Sequence, residues 1–292
     1  MEIPSYPDSR PILPEDKSLL DGIFRRLQPR ISEFTFANIF LFRKAHAYRL
    51  TSVGDALVIL GKGYGGADYF MPPLSGGVDA ALARLFADGL ALYGADEVFA
   101  GSHLHSGGLL VTEERDNFDY LYLREELAEL PGNRFHKKKN RIAYFTSRHE
   151  FSVEEFSRAH VNGSLELLED WRRVKSEMSS PSMAREIEAA GEALHLAFDL
   201  GLQGVVVLMA GKVRAFALGE ELNRETSVCH FEKADPFMEG LSQLADREFN
   251  RRLFTGCRYV NREQDLGEPG LRDAKLSYHP VELVKKFRAR LG

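Results

Sequence analysis

Cysteine is scarce: the 292-residue chain holds only Cys229 and Cys257. Two distant thiols, with no Cys/His set at zinc-ligand spacing, exclude a disulfide framework and argue against a structural zinc site. Positive charge is also short. Lysine and arginine number 38 against 43 acids, a formal net charge of −5, so RNA contact needs a local basic patch. Long apolar runs are missing as well. Stretches such as Val205–Ala210 fall far below the roughly 20 residues that cross a bilayer, and Met1–Asp16 lacks a basic start followed by an apolar run. These absences predict a cytoplasmic protein without a membrane span. What is there, 44% hydrophobic and 28% charged residues in a chain too long for one small core, predicts two packed domains.

After the prolines at 4, 7, 11 and 14, the spacing of Leu19, Leu20, Ile23, Phe24 and Leu27 predicts a helix over Ser18–Leu27. A second, buried helix is expected over Glu33–Arg43 with Ser32 as its N-cap. Short apolar pieces at Tyr48–Val53, Ala56–Leu60 and Tyr69–Met71 then read as an antiparallel meander. Gly61–Gly66 lies between strand candidates and lacks the spacing of a phosphate loop, so it reads as a hairpin loop. Asp79–Tyr93 returns to helical periodicity, and Val98–Ala100 and Phe118–Leu123 are strand candidates. His103 and His105 have no third ligand nearby and read as loop or core histidines.

The same grammar repeats beyond the basic run Arg134–Arg141. One long amphipathic helix is expected from Val153 through Phe156 to Trp171, and a second from Met183 to Phe198. Gln203–Met209 and Val213–Leu218 make a hairpin, Thr226–Phe231 a third strand, Phe237–Leu253 a helix and Arg258–Asn261 a further strand. Two lobes, residues 1–146 and 147–292, follow from the repeat. Each order resembles the GNAT acyltransferase fold, which implies an α/β (α+β) chain of two tandem lobes. Each lobe would hold a mixed, mostly antiparallel sheet flanked by helices, with its fourth and fifth strands parallel and splayed.

Four segments carry a closer resemblance: Glu33–Arg43, Lys137–Ile142, Gly204–Asn223 with Phe231–Asp235, and Tyr259–Pro280. Together they resemble the DUF2156 family, whose domain is shared with the C-terminal catalytic part of phosphatidylglycerol lysyltransferase. The resemblance covers nearly the whole chain. It implies kinship with Fem-type transferases, which take an amino acid from aminoacyl-tRNA. The multi-helix membrane portion of the lysyltransferases has no counterpart here. Gly270–Tyr278 resembles the GL-x-x-FK segment of Fem-type enzymes, which implies that Lys275 contacts phosphate or the developing oxyanion.

Other site candidates come from position. Beyond the candidate fourth strand, alternation puts His230 and Glu232 on one face, fit to deprotonate an attacking amine or hydroxyl, with Phe231 and Lys233 on the other. Glu232 and Lys233 can instead pair with Arg262 and Glu263 across strands. Asn261, Arg262 and Asp265 end the candidate fifth strand, where open sheets bind ligands, and with Lys233 form a substrate-binding set. A solvated charge run is the bland alternative. Lys137, Lys138, Lys139 and Arg141 are the candidate RNA or phosphate contacts, against an ordinary solvated helix start.

These readings predict an aminoacyltransferase moving an aminoacyl group from its tRNA to an amine or hydroxyl of a lipid head group or small molecule, without metal or organic cofactor. The alternatives are an N-acyltransferase using a CoA thioester and a non-catalytic module that binds an anionic metabolite or a protein partner. Ala234–Gly240 lacks the glycine-rich loop with which CoA-dependent enzymes of the GNAT type hold pyrophosphate, which favours aminoacyl-tRNA as the donor.

Overall fold

The computed structural model describes residues 2–63, 65–105, 108–175 and 181–292. Tyr64, inside the expected Gly61–Gly66 loop, lies outside the described residues. The chain forms two compact units: residues 1–120 with 264–273 and 283–292, and residues 121–263 with 274–282.

The first unit opens with β1 (Arg10–Pro11) and α1 (Lys17–Leu27), whose Leu20, Ile23 and Phe24 are buried as the period requires. α2 (Phe36–Phe42) starts later than the sequence predicts. Thr35, not Ser32, caps it, its Oγ1 accepting from Asn38 N at 3.0 Å. Ser32 is occupied elsewhere: its N and Oγ donate to Asp119 at 2.7 and 3.1 Å. The expected meander follows as β2 (Arg49–Val53), β3 (Ala56–Lys62) and β4 (Asp68–Phe70). α3 (Val78–Ala87) is shorter than its periodicity suggests, because Gly89 at φ 82 ends it. Gly89 N bonds Phe86 O at 3.0 Å and Leu90 N bonds Leu85 O at 3.1 Å, the paired bonds of a Schellman turn. Ala91–Ala95 is therefore strand β5, parallel to β4.

Val98–Ala100 is helical rather than extended. It lies in α4 (Glu97–His103), where the Asp96 carboxylate caps Phe99 N at 2.8 Å and the cap outweighs the β-branched valine. β6 (Leu109–Glu113) completes this stretch.

In the second unit Leu121–Leu123 of β7 (Asp119–Leu123) pairs with a later strand, and α5 (Arg124–Glu129) and the basic α6 (His136–Thr146) follow. Val153 is not helical: it sits in β8 (Ser152–Glu155), and the helix starts only at Val161, as α7 (Val161–Lys175). The Ser157–His160 capping turn separates the two. α8 (Pro181–Leu200), β9 (Gln203–Met209), β10 (Lys212–Asn223) and β11 (Thr226–Ala234) stand where the patterning put them. α9 (Leu241–Arg252) begins four residues after Phe237, which stands 81% exposed in the preceding turn. β12 (Tyr259–Asn261) runs parallel to β11, and α10 (Pro269–Leu276), β13 (Glu282–Val284) and β14 (Phe287–Leu291) end the chain.

Among the described residues each sheet has seven strands, in the orders β1-β2-β3-β4-β5-β14-β6 and β13-β7-β12-β11-β10-β9-β8. Five consecutive strands per sheet repeat one plan, antiparallel until a last parallel pair. Val205–Val207 of β9 and Ala215–Leu218 of β10 form continuous buried apolar runs, because α7 and α9 both pack on β10. The chain is thus α/β with two GNAT-like lobes in tandem.

Candidate functional site

The second unit's parallel pair comes apart after three residue pairs. Thr226 faces Tyr259, Ser227 faces Val260 and Val228 faces Asn261, after which β12 ends and β11 runs on to Ala234. At the point of separation the β10–β11 ladder slips. Leu218 faces Phe231 but Gly219 faces Cys229, leaving His230 as the extra residue of a β-bulge. The strict alternation expected for His230 and Glu232 is broken there. Cross-strand register makes Cys229, not His230, the neighbour of Glu232 on its face. Burial and the Glu232 carboxylate push the Cys229 thiol up, so it stays protonated.

Charged groups fill the opened fork. Arg262, just past β12, bonds Glu232 at 2.8 Å and lies 3.1 Å from Asp246 on α9. Glu232 also accepts from the Ser242 hydroxyl at 2.9 Å. The guanidinium centre stands 5.0 Å from the Tyr278 ring centroid. Burial raises the Asp246 pKa and Arg262 opposes that rise. His230 lies between Glu263 at 2.8 Å and Glu220 at 2.9 Å. Burial alone would favour neutral imidazole, but hydrogen bonds to both carboxylates win and raise its pKa to about 10. An imidazolium has no lone pair to accept a proton, and both ring nitrogens of His230 are engaged by carboxylates.

Lys275 lies in the last turn of α10. Its Nζ donates to the Arg262 carbonyl and, at 3.4 Å, to the Glu263 carbonyl, while the Tyr122 hydroxyl donates to the Lys275 carbonyl at 2.8 Å. Asn261 Oδ1 accepts from Glu263 N at 2.7 Å. Lys275 and Asn261 therefore clamp the turn that presents Arg262 to Glu232.

Beside this fork lies a cleft of about 1030 Å³ whose lining includes Arg134, Lys137, Lys138, Arg141, Ser277 and His279, and no acid. Lys138 is its buried member, 2.6 Å from Ser277 Oγ and 3.8 Å above the Tyr278 ring. Burial, and then the charge of Arg262, push its pKa down to about 8. Tyr278 thus joins cleft to fork, with Lys138 on it and Arg262 beside it. Lys139 turns away and donates to the Gly132 carbonyl at 3.0 Å.

The remaining candidates lie apart. Lys233 bonds Glu186 at 2.6 Å and stands 4.6 Å over Trp171, against α7 and α8. Asp265 belongs to the first unit, fully buried between Arg272 at 2.7 Å and Arg115 at 3.2 Å; hydrogen bonds from Arg272 and Tyr120 overcome burial and hold its carboxyl well below the usual range. Of the sequence candidates the fork gathers Glu232, His230, Asn261, Arg262 and Lys275, and the cleft gathers Lys137, Lys138 and Arg141. Asp246, Ser242, Tyr122, Tyr278 and Ser277 escaped the sequence reading. The only signal for Asp246 was an acid on the core face of an amphipathic helix, two residues from Leu244.

The family model for the C-terminal domain of phosphatidylglycerol lysyltransferase matches residues 24–290. No curated protein matches the chain. A conserved protein of unknown function from Bacteroides thetaiotaomicron is 29% identical, with 97% of this chain and 99% of that one covered and a TM-score of 0.89. L-PGS from Bacillus licheniformis is 14% identical over 99% of this chain and 94% of that one, with a TM-score of 0.66. FemX is 9% identical over 98% and 97%, with a TM-score of 0.57. At such identities the last two show a common fold. Among the described residues no helix is long and apolar enough to cross a membrane.

Proposed function

The chain belongs to the phosphatidylglycerol lysyltransferase C-terminal family, and on that premise we propose that it moves an aminoacyl group from the ester of an aminoacyl-tRNA to an amine or hydroxyl acceptor, on a lipid head group or a small molecule. The observation that carries this reading is the acid-free basic cleft beside the β11–β12 fork. Lys137 and Arg141 meet donor phosphates there, while the fork handles the reacting carbonyl. Lys138 supports the cleft from beneath, and its Nζ faces Ser277.

The turn from β11 to α9 supports the choice of donor. In a CoA-dependent lobe its backbone amides would hold pyrophosphate. Here Phe237 N bonds Asp235 Oδ1 at 3.0 Å, Met238 N bonds Asp235 O at 3.2 Å and Leu241 N bonds Met238 O at 3.2 Å. These amides are engaged internally and an acid stands among them, so an anionic pyrophosphate meets a carboxylate at that end.

Arg262 is a fixed cation of the fork and faces the carbonyl oxygen as charge develops on it. Glu232 takes the proton of the attacking amine or hydroxyl; Asp246, with its raised pKa, holds a second proton site across the same guanidinium. Lys275 and Asn261 act by positioning Arg262, and Lys233, held by Glu186, takes no part in these steps.

Incubating the purified protein with bulk tRNA charged with radiolabelled amino acids, together with lipid and soluble extracts, tests the reading. Protein-dependent movement of label into a lipid or small molecule is the expected result and names the acceptor class. Label that stays on the tRNA, with no salt-sensitive binding, overturns it; saturable thermal stabilisation by CoA then identifies a thioester donor.

A further inference from the structure

We propose that the exposed stripe of α6 that runs on from the cleft, with Tyr144 packed under Arg148 at its far end, is a stacking platform for the unpaired end of an RNA strand. The proposal rests on the reading of the donor as an aminoacyl-tRNA and names the part of that RNA which this surface takes. The reacting ester stays at the fork.

The stripe follows from helical geometry. At 3.6 residues per turn, Lys137, Arg141, Tyr144 and Arg148 fall within an arc of about 60°. All four are exposed, while Lys138, Ile142 and Phe145 on the inward side of α6 are buried. Lys137 and Arg141 line the cleft, and Tyr144 and Arg148 continue their row towards the end of the helix. From Lys137 to Arg148 the row extends about 16 Å at 1.5 Å per residue, the length of about five stacked nucleotides at 3.4 Å each.

Two exposed aromatic rings accompany the cations. Tyr144 is 44% exposed, and Phe237, at 81%, stands in the turn whose Glu239 lies 3.8 Å from Arg141. Arg148 folds back over Tyr144, its guanidinium carbon 3.8 Å from the ring centroid, and its Nη1 donates to Tyr144 O at 3.1 Å and to Ser147 Oγ at 3.2 Å. The cation therefore fixes the ring before any ligand arrives, and a base that stacks on the exposed part of the ring costs little further side-chain freedom.

Charge selects the occupant. In a chain of net charge −5, Lys137, Arg141 and Arg148 face outward in one row with Glu239 as the acid beside them, which fits a polyanion. Ile142, the large aliphatic residue of α6, is buried, so the row offers rings and cations without the aliphatic wedge that an interfacial helix sinks into a bilayer. Paired bases stack on one another and present only their edges, whereas unpaired bases can leave the stack for an aromatic ring. Such stacking is tolerant of sequence, so the stripe takes the end that all tRNAs share.

Three ligands test the platform on the full chain: a single-stranded RNA octamer carrying 2-aminopurine, the same strand annealed to its complement, and vesicles of phosphatidylglycerol and phosphatidylcholine. Wild type should bind the single strand more tightly than the duplex and quench 2-aminopurine as it stacks. Tyr144→Ala should weaken that binding about 10-fold and lose the quenching with its salt slope unchanged, and Tyr144→Phe should restore both. Arg148→Met should take about 0.7 unit from the slope of log affinity against log salt. Wild-type affinity and quenching in Tyr144→Ala overturn the platform and leave the donor reading intact, as does equal binding of duplex and single strand. Vesicle binding lost in Tyr144→Ala with RNA binding unchanged also overturns it and assigns the stripe to lipid. Wild type that binds no RNA at low salt overturns the donor reading and the platform together. Equal melting temperatures for wild type and Tyr144→Ala separate a lost surface from lost folding.

Discussion

His230 shows how one side chain can couple charge to stability. Its ordinary pKa of 6.5 becomes about 10 in the fold, since two carboxylates at hydrogen-bond distance overcome the cost of burying the imidazolium. A raised pKa means that the stabilisation is complete below 6.5 and is lost as pH climbs towards 10. Lys138 runs the opposite way, its folded pKa lying below its unfolded one, so stability gains from it only above about 8. Asp246, its pKa raised to about 7, also costs stability as pH rises to that value, so the window from about 7 to 8 is the one that reports His230. Urea unfolding of the wild type should show stability falling across that window, and His230→Gln should lower stability at pH 6 by on the order of a few kcal/mol and flatten the slope. An unchanged slope would show that His230 is neutral in the fold. Lys275 makes a different prediction. Its ammonium holds two backbone carbonyls in place, so Lys275→Met should cost about 1 kcal/mol of stability but about 10²-fold in transfer, because Arg262 loses its fixed position. Parallel melts and label-transfer rates decide; a fully active variant removes Lys275 from the positioning role.

At the scale of elements, the site depends on where α9 starts. Gly240 precedes it at φ 91, a left-handed conformation, and a Cβ there would overlap the Arg141 carbonyl of α6. Both the dihedral and the close approach require glycine, and together they seat the helix bearing Asp246 against the helix bearing Lys138. Gly240→Ala should destabilise by about 2 kcal/mol or more, read as a lowered melting temperature, and weaken anion binding in the cleft with it. A melting temperature equal to wild type would mean that α6 and α9 shift freely. The β-bulge at His230 is the second such device. Opposite it Gly219 leaves no room for a Cβ beside the Val228 carbonyl and the Phe249 ring, so the hairpin can slip register and open the fork only with glycine there.

At the scale of the whole molecule, charge and strand order matter. The chain carries −5 overall, yet Arg134, Lys137, Lys138 and Arg141 line one cleft, so tRNA should bind there with a steep salt dependence. A plot of log affinity against log salt should lose about one unit of slope in Arg141→Ala. An unchanged slope would place the RNA elsewhere. Chain order is the other whole-molecule feature. β14, from the C-terminus, lies between β5 and β6, and Lys286 just before it bonds Glu33 at 2.6 Å and Asp119 at 2.7 Å, all three buried. Truncation after Val284 should leave two unpaired strand edges and two buried carboxylates without their cation, and the protein should be recovered aggregated or with its first melting transition lost.

The sequence by itself determined the local elements whose signal is periodic and uninterrupted: α1, α8, the β9–β10 hairpin, β11 and β12, and with them the repeated order that implied two GNAT-like lobes. It failed where a cap or a turn decides between competing propensities. Asp96 made a helix of Val98–Ala100, Gly89 cut α3 short, and Ser157–His160 split the expected long helix into β8 and α7. Half of the fork was legible, since Glu232, His230, Asn261, Arg262 and Lys275 lie at the ends of adjacent strands or in a recognisable motif. Tertiary structure alone decided their partners. Residues 121–146 pack with the second unit and 264–273 with the first, so units that interleave along the chain replace the sequential halves suggested by pattern. The physical reason is that periodicity reports which face of an element is buried, whereas ion pairs such as Arg262 with Asp246, and the meeting of Lys138 with Ser277, depend on which elements pack together across more than a hundred residues of chain in the second case.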